Sequence, residues 1–146
     1  MNLTSTSTTM TEYTSQIKRI DKPAELVFSR LSDLSNLNAY KDKIPNQMVS
    51  LEEADTDSCT LKLNPMGQLE LRIVERDPYK TIKIQTDRSP VPFTFWIQLV
   101  EKEPGSCYLR LTIHAELNMF IKKMIGKKLE DGIEKLAELL AVIPYE

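Results

Sequence analysis

The sequence predicts an α+β domain in which an antiparallel sheet of about seven strands packs one face against a single long helix. Three observations lead to this prediction. Two helix starts lie close together after a first strand, about six segments with alternating apolar residues follow, and a long amphipathic stripe ends the chain. A chain of 146 residues has the size of one domain, so we expect these elements to share one core.

The chain begins with a Thr/Ser tract, MNLTSTSTTM (residues 1–10), that has almost nothing apolar to bury. This tract lacks the basic start and the apolar centre of a signal peptide. We therefore expect residues 1–10 to form a disordered tail and residues 11–146 to form the domain. Met10 is an alternative start of the protein. The next segment, Thr11–Ile20, is rich in Thr and in aromatic or β-branched residues, which favours a strand.

The segment DKPAELVFSRLSDLSNL (Asp21–Leu37) predicts two helices of about two turns each, with a bend between them. Pro23 suits the first helical position, because a missing N–H costs nothing there, and Asp21 is expected to cap this helix. Ser32 or Asp33 can cap the second helix. Two short helices can close one end of a curved sheet, whereas one long helix there would collide with the last helix of the chain.

Strand segments separated by turn sequences occupy the middle of the chain. They are Met48–Ala54, Cys59–Leu63, Gln68–Arg76, Thr81–Asp87, Phe93–Glu101 and Ser106–Leu117. Apolar and polar residues alternate in several of them, as in FTFWIQL (Phe93–Leu99), where every second residue from Phe93 is apolar. One apolar and one polar face are typical of an antiparallel sheet that buries a single side.

The last segment predicts an amphipathic helix of about six turns, with Asn118 as its N-cap and Pro144 beyond its end. Its apolar residues recur at spacings of three or four: Ile121, Ile125, Leu129, Ile133, Leu136 and Leu140. This helix is the only predicted element long enough to cover the apolar face of the sheet.

The order of elements, with PAELVFSRLSDLSNL (Pro23–Leu37) and LNMFIKKMIGKKLEDGIEKLAELL (Leu117–Leu140), resembles the SRPBCC superfamily. Its members include START lipid-transfer domains, the major birch-pollen allergen, aromatic polyketide cyclases and coenzyme Q-binding proteins. The resemblance covers residues 11–143 and is closest to small bacterial proteins of the polyketide cyclase/dehydratase type. It implies the helix-grip fold and a cavity between sheet and long helix that binds a small hydrophobic or amphipathic molecule, such as a lipid, an isoprenoid or a polyketide.

The resemblance and the alternation of the strands together indicate which side chains would surround this cavity. The expected ligand-binding residues are Phe28, Leu31, Leu69, Leu71, Ile73, Ile84, Phe93, Phe95, Ile97, Leu109, Leu111, Ile113, Met124, Ile125, Leu129 and Ile133. Gly126 and Gly132 fit either a cavity beside the long helix or close packing of that helix, since each costs about 1 kcal/mol of helix stability against alanine.

Composition excludes several classes of function. The net charge of −2 gives no basic field for nucleic acid. Cys59 and Cys107 are too few for a disulfide framework and have no metal-site spacing, so we expect reduced thiols, no metal, no other cofactor and a cytoplasmic location. No segment has the length and apolar character of an integral membrane span. The apolar, Lys-rich residues 119–128 fit either a solvated helix face or a peripheral membrane contact.

No catalytic constellation is visible in the sequence. His114, the only histidine, shares a strand face with Arg110 and Glu116, so we expect it to point to solvent and away from the cavity. Trp96 on the polar face indicates either a cross-strand aromatic contact or a partner surface, such as that of a homodimer. We therefore predict a ligand-binding protein. The alternatives are an enzyme of the cyclase/dehydratase type and a protein-interaction module that uses the outer sheet face.

Overall fold

The computed structural model of the protein describes residues 9–40, 49–63 and 67–145. Its elements are β1 (Thr9–Thr14), β2 (Lys18–Ile20), α1 (Ala24–Leu31), a 3₁₀ helix (Leu34–Tyr40), β3 (Val49–Ala54), β4 (Ser58–Leu63), β5 (Gly67–Asp77), β6 (Thr81–Arg88), β7 (Phe93–Glu103), β8 (Ser106–Leu117) and α2 (Met119–Val142). The strands predicted after the short helices are present, with ends within two residues of those expected. Met48, the predicted start of one of them, lies outside the described residues.

The described strands form one antiparallel sheet of eight strands, in the order β1-β8-β7-β6-β5-β4-β3, and β2 also pairs with β8. The prediction of a single strand over Thr11–Ile20 is therefore wrong, because this segment forms two strands, and the sheet has eight described strands where about seven were expected. The backbone leaves the regular ladder at Ser15, whose N–H donates to the Leu111 carbonyl at 2.8 Å. The Ser15 hydroxyl oxygen accepts the Leu111 N–H at 3.0 Å, so this serine bridges the break between β1 and β2.

Strand β1 begins two residues earlier than predicted. Thr9 and Met10 pair with Leu117 and Glu116 of β8, so these two residues are part of the sheet and not of a tail. Pairing with a long neighbouring strand can hold Thr-rich residues that have little apolar surface of their own. The rest of the predicted tail, residues 1–8, lies outside the described residues.

The two short helices are present, and the start of α1 differs from prediction in two respects. Pro23, predicted as the first helical residue, is the N-cap. Asp33 starts the 3₁₀ helix as expected, since its Oδ1 accepts the N–H of Ser35 at 3.0 Å. The prediction that Asp21 caps α1 is wrong, because the Asp21 carboxylate pairs with Arg19. The N–H of the buried Ala24 donates instead to Oε1 of Glu101 at 2.7 Å. The Glu101 side chain on β7 thus caps the N-terminus of α1.

Arg76, near the end of β5, holds the bend between the two short helices in place. Its guanidinium donates to the carbonyl of Ser32 from Nε (3.0 Å) and Nη2 (2.8 Å), at the end of α1. Nη2 also contacts the carbonyl of Thr56 (3.1 Å) and Oδ1 of Asp57 (2.8 Å) in the β3–β4 turn. A cation at a helix C-terminus is favourable. Arg76 therefore fixes α1 relative to the β3–β4 end of the sheet.

Helix α2 is capped at its start and attached to the sheet at its middle. Asn118 is the N-cap, as predicted, because its Oδ1 accepts the N–H of Ile121 at 2.8 Å. Further along, Oε1 of Glu134 accepts the N–H of Gln16 at 2.9 Å, and its Oε2 lies 2.9 Å from Nζ of Lys18. The Gln16 N–H, followed by Lys18, lowers the pKa of Glu134. Glu134 thus ties α2 to the corner between β1 and β2.

These elements form the α+β helix-grip fold that the sequence predicts. We define the inner face of the sheet as the face that carries α1 and α2, and the opposite face as the outer face. The core lies on the inner face and includes Val27 of α1, Leu109 of β8 and Ala137 of α2, all fully buried. Within the described ranges, no helix combines the length and the apolar character needed to cross a membrane.

Candidate functional site

The helices cover only parts of the inner face. The sheet contacts of α2 fall on β8, β1 and β2, whereas α1 contacts β6 and β7 and the 3₁₀ helix contacts β3 and β4. Between these covered areas, Leu71 of β5 and Phe93 and Phe95 of β7 pack against the core but are only partly buried. The inner face therefore retains accessible apolar surface beside α2.

The side of α2 that faces this surface is also apolar. Three residues of α2 are buried: Gly126, Ile133 and Ala137. Successive residues turn by about 100° around a helix, so Ile125 and Leu129 lie on one flank of the buried line and Glu134 lies on the other. Because Glu134 binds the β1–β2 corner, the flank with Ile125 and Leu129 turns toward the rest of the inner face. Both side chains are partly buried.

We name the space between these two surfaces the α2 groove. Its sheet side consists of Leu71, Phe93 and Phe95, and its helix side consists of Ile125 and Leu129. All five side chains are apolar, and none is fully covered. Accessible apolar side chains grouped in this way are a common setting for small-molecule binding.

The predicted ligand-binding residues divide by burial into three groups. Those buried in the core are Phe28, Leu69, Ile73, Ile84, Ile97, Leu109, Leu111, Ile113 and Ile133. Those partly buried are Leu31, Leu71, Phe93, Phe95, Ile125 and Leu129. The remaining one, Met124, is 59% exposed. The contact of any of them with a ligand stays a prediction.

One placement from the sequence needs correction. Met124 does not face the sheet, because it lies about 160° around α2 from the buried Gly126. Leu109 and Leu111 face inward on β8, a strand that α2 contacts, and both are 0% exposed. They are packed in the core, and their contact with a ligand stays a prediction.

The two thiols are core side chains. Cys59 and Cys107 are both free and buried. Burial raises the pKa of Cys59 to about 11, with a further contribution from the nearby Asp55. Burial also raises the pKa of Cys107, and Glu101 adds to this effect. Since the thiolate is the nucleophilic form of cysteine, both thiols stay protonated at neutral pH.

A separate, shallow depression of about 230 Å³ lies on the outer face. It is lined by Glu12, Thr14, Trp96, Gln98, Arg110, Thr112 and His114. The Gln98 amide oxygen accepts from Thr112 Oγ1 at 2.9 Å and from Arg110 Nε at 3.0 Å. These polar groups bond one another across β7 and β8, as neighbouring side chains on a solvated sheet face commonly do.

His114 lies on this outer face, as predicted, but its ring also contacts two side chains there. Its Nε2 lies 2.5 Å from Oε1 of Glu12 on β1. Its ring meets that of Trp96 nearly edge-on, with centroids 4.6 Å apart. Sequence reasoning missed Glu12 because the two residues are 102 positions apart. Trp96 thus makes a cross-strand aromatic contact, and its role in a homodimer stays a prediction.

Comparison with known proteins identifies relatives of the chain. The family model described as polyketide cyclase / dehydrase and lipid transport matches residues 10–141. No curated protein sequence matches the chain. The match to the family model covers nearly all of the elements described above, including the α2 groove.

Several solved structures share the fold at low sequence identity. Truncated norcoclaurine synthase from Thalictrum flavum is 12% identical, with a TM-score of 0.71 over 97% of this chain and 95% of that one. A protein from Thermobifida fusca is 15% identical, with a TM-score of 0.58 over 84% of each chain. A START superfamily protein from Mycobacterium smegmatis is 14% identical, with a TM-score of 0.55 over 87% and 98%. At such identities the similarity shows the fold alone.

Proposed function

The chain belongs to the family of polyketide cyclases, dehydrases and lipid-transport proteins, within the SRPBCC superfamily, and we propose that it binds a small hydrophobic or amphipathic molecule in the α2 groove. The bound molecule is of the lipid, isoprenoid or polyketide type. One molecule occupies each chain, with its apolar part between α2 and the strands β5 to β7.

One observation carries this proposal. Phe95 and Leu71 on the sheet and Leu129 on α2 are partly exposed although they belong to the inner, apolar side of the fold. Leaving apolar side chains exposed forgoes about 25 cal/mol for each Å² that stays in contact with water. A ligand that covers them recovers this free energy, and the apolar lining selects for ligands of matching character.

A cyclase or dehydratase activity is the alternative that the family name suggests. Such chemistry needs an acid or a base within hydrogen-bond reach of the reacting atoms. The five side chains that define the α2 groove are apolar, His114 lies on the outer face and the two thiols stay protonated. The described lining of the groove therefore supports binding more strongly than proton transfer.

Titration with N-phenyl-1-naphthylamine, a fluorescent apolar probe, tests the proposal. We expect saturable binding near one probe per chain, with competition by long-chain fatty acids or isoprenoid alcohols. Fluorescence that rises linearly without saturation, or that ignores these competitors, would count against a defined groove.

A pair of variants in one strand locates the binding. Phe95 lies on the inner face of β7 at the groove, and Val100 is 52% exposed on the outer face of the same strand. We expect Phe95→Gln to weaken probe binding about tenfold, the equivalent of 1.4 kcal/mol of lost apolar contact. Val100→Gln serves as the control and should bind as the wild type does. Urea unfolding of both variants confirms that they are folded at the titration temperature.

A further inference from the structure

The first three turns of α2 carry large apolar side chains that point away from the fold. Met119 is 77% exposed, Phe120 is 72% exposed and Met124 is 59% exposed. Single exposed apolar residues are normal on a protein surface. Three of them within six consecutive residues form a patch, and such patches commonly mark a binding surface.

Lysines surround this patch. Lys122, Lys123, Lys127 and Lys128 are all exposed, and the first turn of α2 contains no acidic residue. The positive end of the helix dipole lies here, so these cations oppose it and do not stabilise the helix. Within the described part of the chain, only Lys127 among the four has a carboxylate within ion-pair distance, Asp131 at 3.6 Å.

Four of these residues share one surface of the helix. At about 100° per residue, Phe120, Met124, Lys127 and Lys128 lie on the side turned away from the buried Gly126, whereas Met119, Lys122 and Lys123 lie within about 60° of Gly126. Apolar side chains therefore stand at the centre of this side, with ammonium groups next to them. The net charge of the whole chain is −2, so this basic surface is a local feature.

We propose that this part of α2, residues 119–128, docks on an anionic membrane surface. Phe120 and Met124 enter the boundary between head groups and acyl chains, and the ammonium groups of the neighbouring Lys127 and Lys128 bind lipid phosphates and carboxylates. Exposed apolar side chains with lysines on the same helix are the combination that such surfaces favour, because hydrophobic insertion and attraction to anionic lipid add. A second copy of the chain fits less well, since Lys127 and Lys128 of one copy would then face the same lysines of the other.

Sedimentation of the full chain with sucrose-loaded vesicles tests this docking. We expect binding to vesicles of phosphatidylcholine mixed with phosphatidylserine, little binding to phosphatidylcholine alone, and weaker binding as salt is raised. Equal binding to both kinds of vesicle, or to neither, would overturn the proposal. The docking does not require a ligand in the α2 groove, so failure of probe binding leaves this test valid.

Two variants separate the two contributions. The triple variant Lys123→Gln, Lys127→Gln, Lys128→Gln should weaken binding to the anionic vesicles roughly 100-fold, at about 1 kcal/mol for each lysine near the surface. Phe120→Ser should weaken it on its own, without changing the net charge. Retained binding in either variant would overturn the proposal.

A charge-matched control shows whether position matters. The control is the triple variant Lys62→Gln, Lys80→Gln, Lys102→Gln. It removes the same number of positive charges from exposed lysines outside α2. This control should bind the anionic vesicles nearly as well as the wild type. A loss equal to that of the α2 variant would mean unspecific charge attraction.

Self-association that Phe120→Ser abolishes in sedimentation would assign the surface to a second copy and overturn the membrane proposal.

Discussion

Tyr13 and Gly126 lie so close together that a methyl group at position 126 would come within 2.8 Å of the Tyr13 hydroxyl oxygen. Real Cβ atoms do not approach this closely, so a side chain at position 126 would force Tyr13 or α2 to shift. Gly132 lies six residues further along the same helix, and a methyl group there would meet open space. Of the two explanations that the sequence allows for these glycines, close packing therefore applies to Gly126.

The two glycines should respond to alanine in opposite ways. Gly132→Ala should raise the free energy of unfolding by up to about 1 kcal/mol, because alanine favours the helix. Gly126→Ala gains the same helix propensity but overpacks the contact with Tyr13, which typically costs about 1–3 kcal/mol. Urea unfolding measures both. Adding Tyr13→Phe to Gly126→Ala should recover part of the loss, and equal stabilities of the two single variants would contradict this packing.

Arg76 should be far more important for stability than Arg72 on the same strand. Arg76 donates to Ser32 and to the β3–β4 turn and its side chain is 33% exposed, whereas Arg72 forms one ion pair with Asp87 and is 53% exposed. We expect Arg76→Met to lower the free energy of unfolding by about 1–3 kcal/mol. Arg72→Met, the control, should cost less than about 1 kcal/mol. Similar losses in the two variants would show that Arg76 does not hold the bend.

Glu134→Gln should make the free energy of unfolding depend less on pH in acidic solution. The Gln16 N–H and Lys18 lower the pKa of Glu134 from its ordinary value of 4.5, so the folded chain holds this proton less readily than the unfolded chain. The resulting stabilisation is complete above that value and is lost as pH falls through the lower, folded pKa. The wild type should therefore have a higher free energy of unfolding than Glu134→Gln at pH 7 and lose this advantage as the pH falls below 4.5. A difference that is constant with pH would contradict the assignment.

Both thiols should be unreactive while the chain is folded. With the pKa of Cys59 at about 11 against an ordinary value of 9.0, its thiolate fraction at pH 8 falls roughly 100-fold, and burial slows access further. Ellman's reagent should thus react slowly with the native protein. In denaturant it should release two equivalents per chain, the full cysteine content. Fast reaction of either thiol under native conditions would return cysteine to the list of candidate nucleophiles.

Local pattern was sufficient for most of the fold. Alternation in segments such as Phe93–Leu99 places strand ends to within two residues, and Asn118 is recognised as a cap because its partner, Ile121, is only three residues away. Contacts between distant segments were not predictable in this way. Glu101 caps α1 from 77 residues away, and nothing near Arg76 in the sequence indicates that it binds Ser32.

The sequence predicts that the candidate site is apolar, but it does not predict where on the sheet the site lies. Alternation identifies which side chains face inward, but it cannot show where α2 lies across the sheet. The structure places α2 over β8, β1 and β2, which buries Leu109 and leaves Phe95 accessible. Met124, by contrast, lies about 160° around α2 from the buried Gly126 and is 59% exposed, so it does not face the sheet.

The location of the bound molecule is the central claim, and methyl nuclear magnetic resonance tests it most directly. Proton–carbon correlation spectra of the chain with labelled Ile, Leu and Val methyl groups would be recorded during titration with N-phenyl-1-naphthylamine. We predict that the signals of Leu71, Ile125 and Leu129 shift together and saturate near one probe per chain, while Val100 on the outer face stays unchanged. Shifts confined to the outer face, or unchanged spectra at a large excess of probe, would contradict binding in the α2 groove.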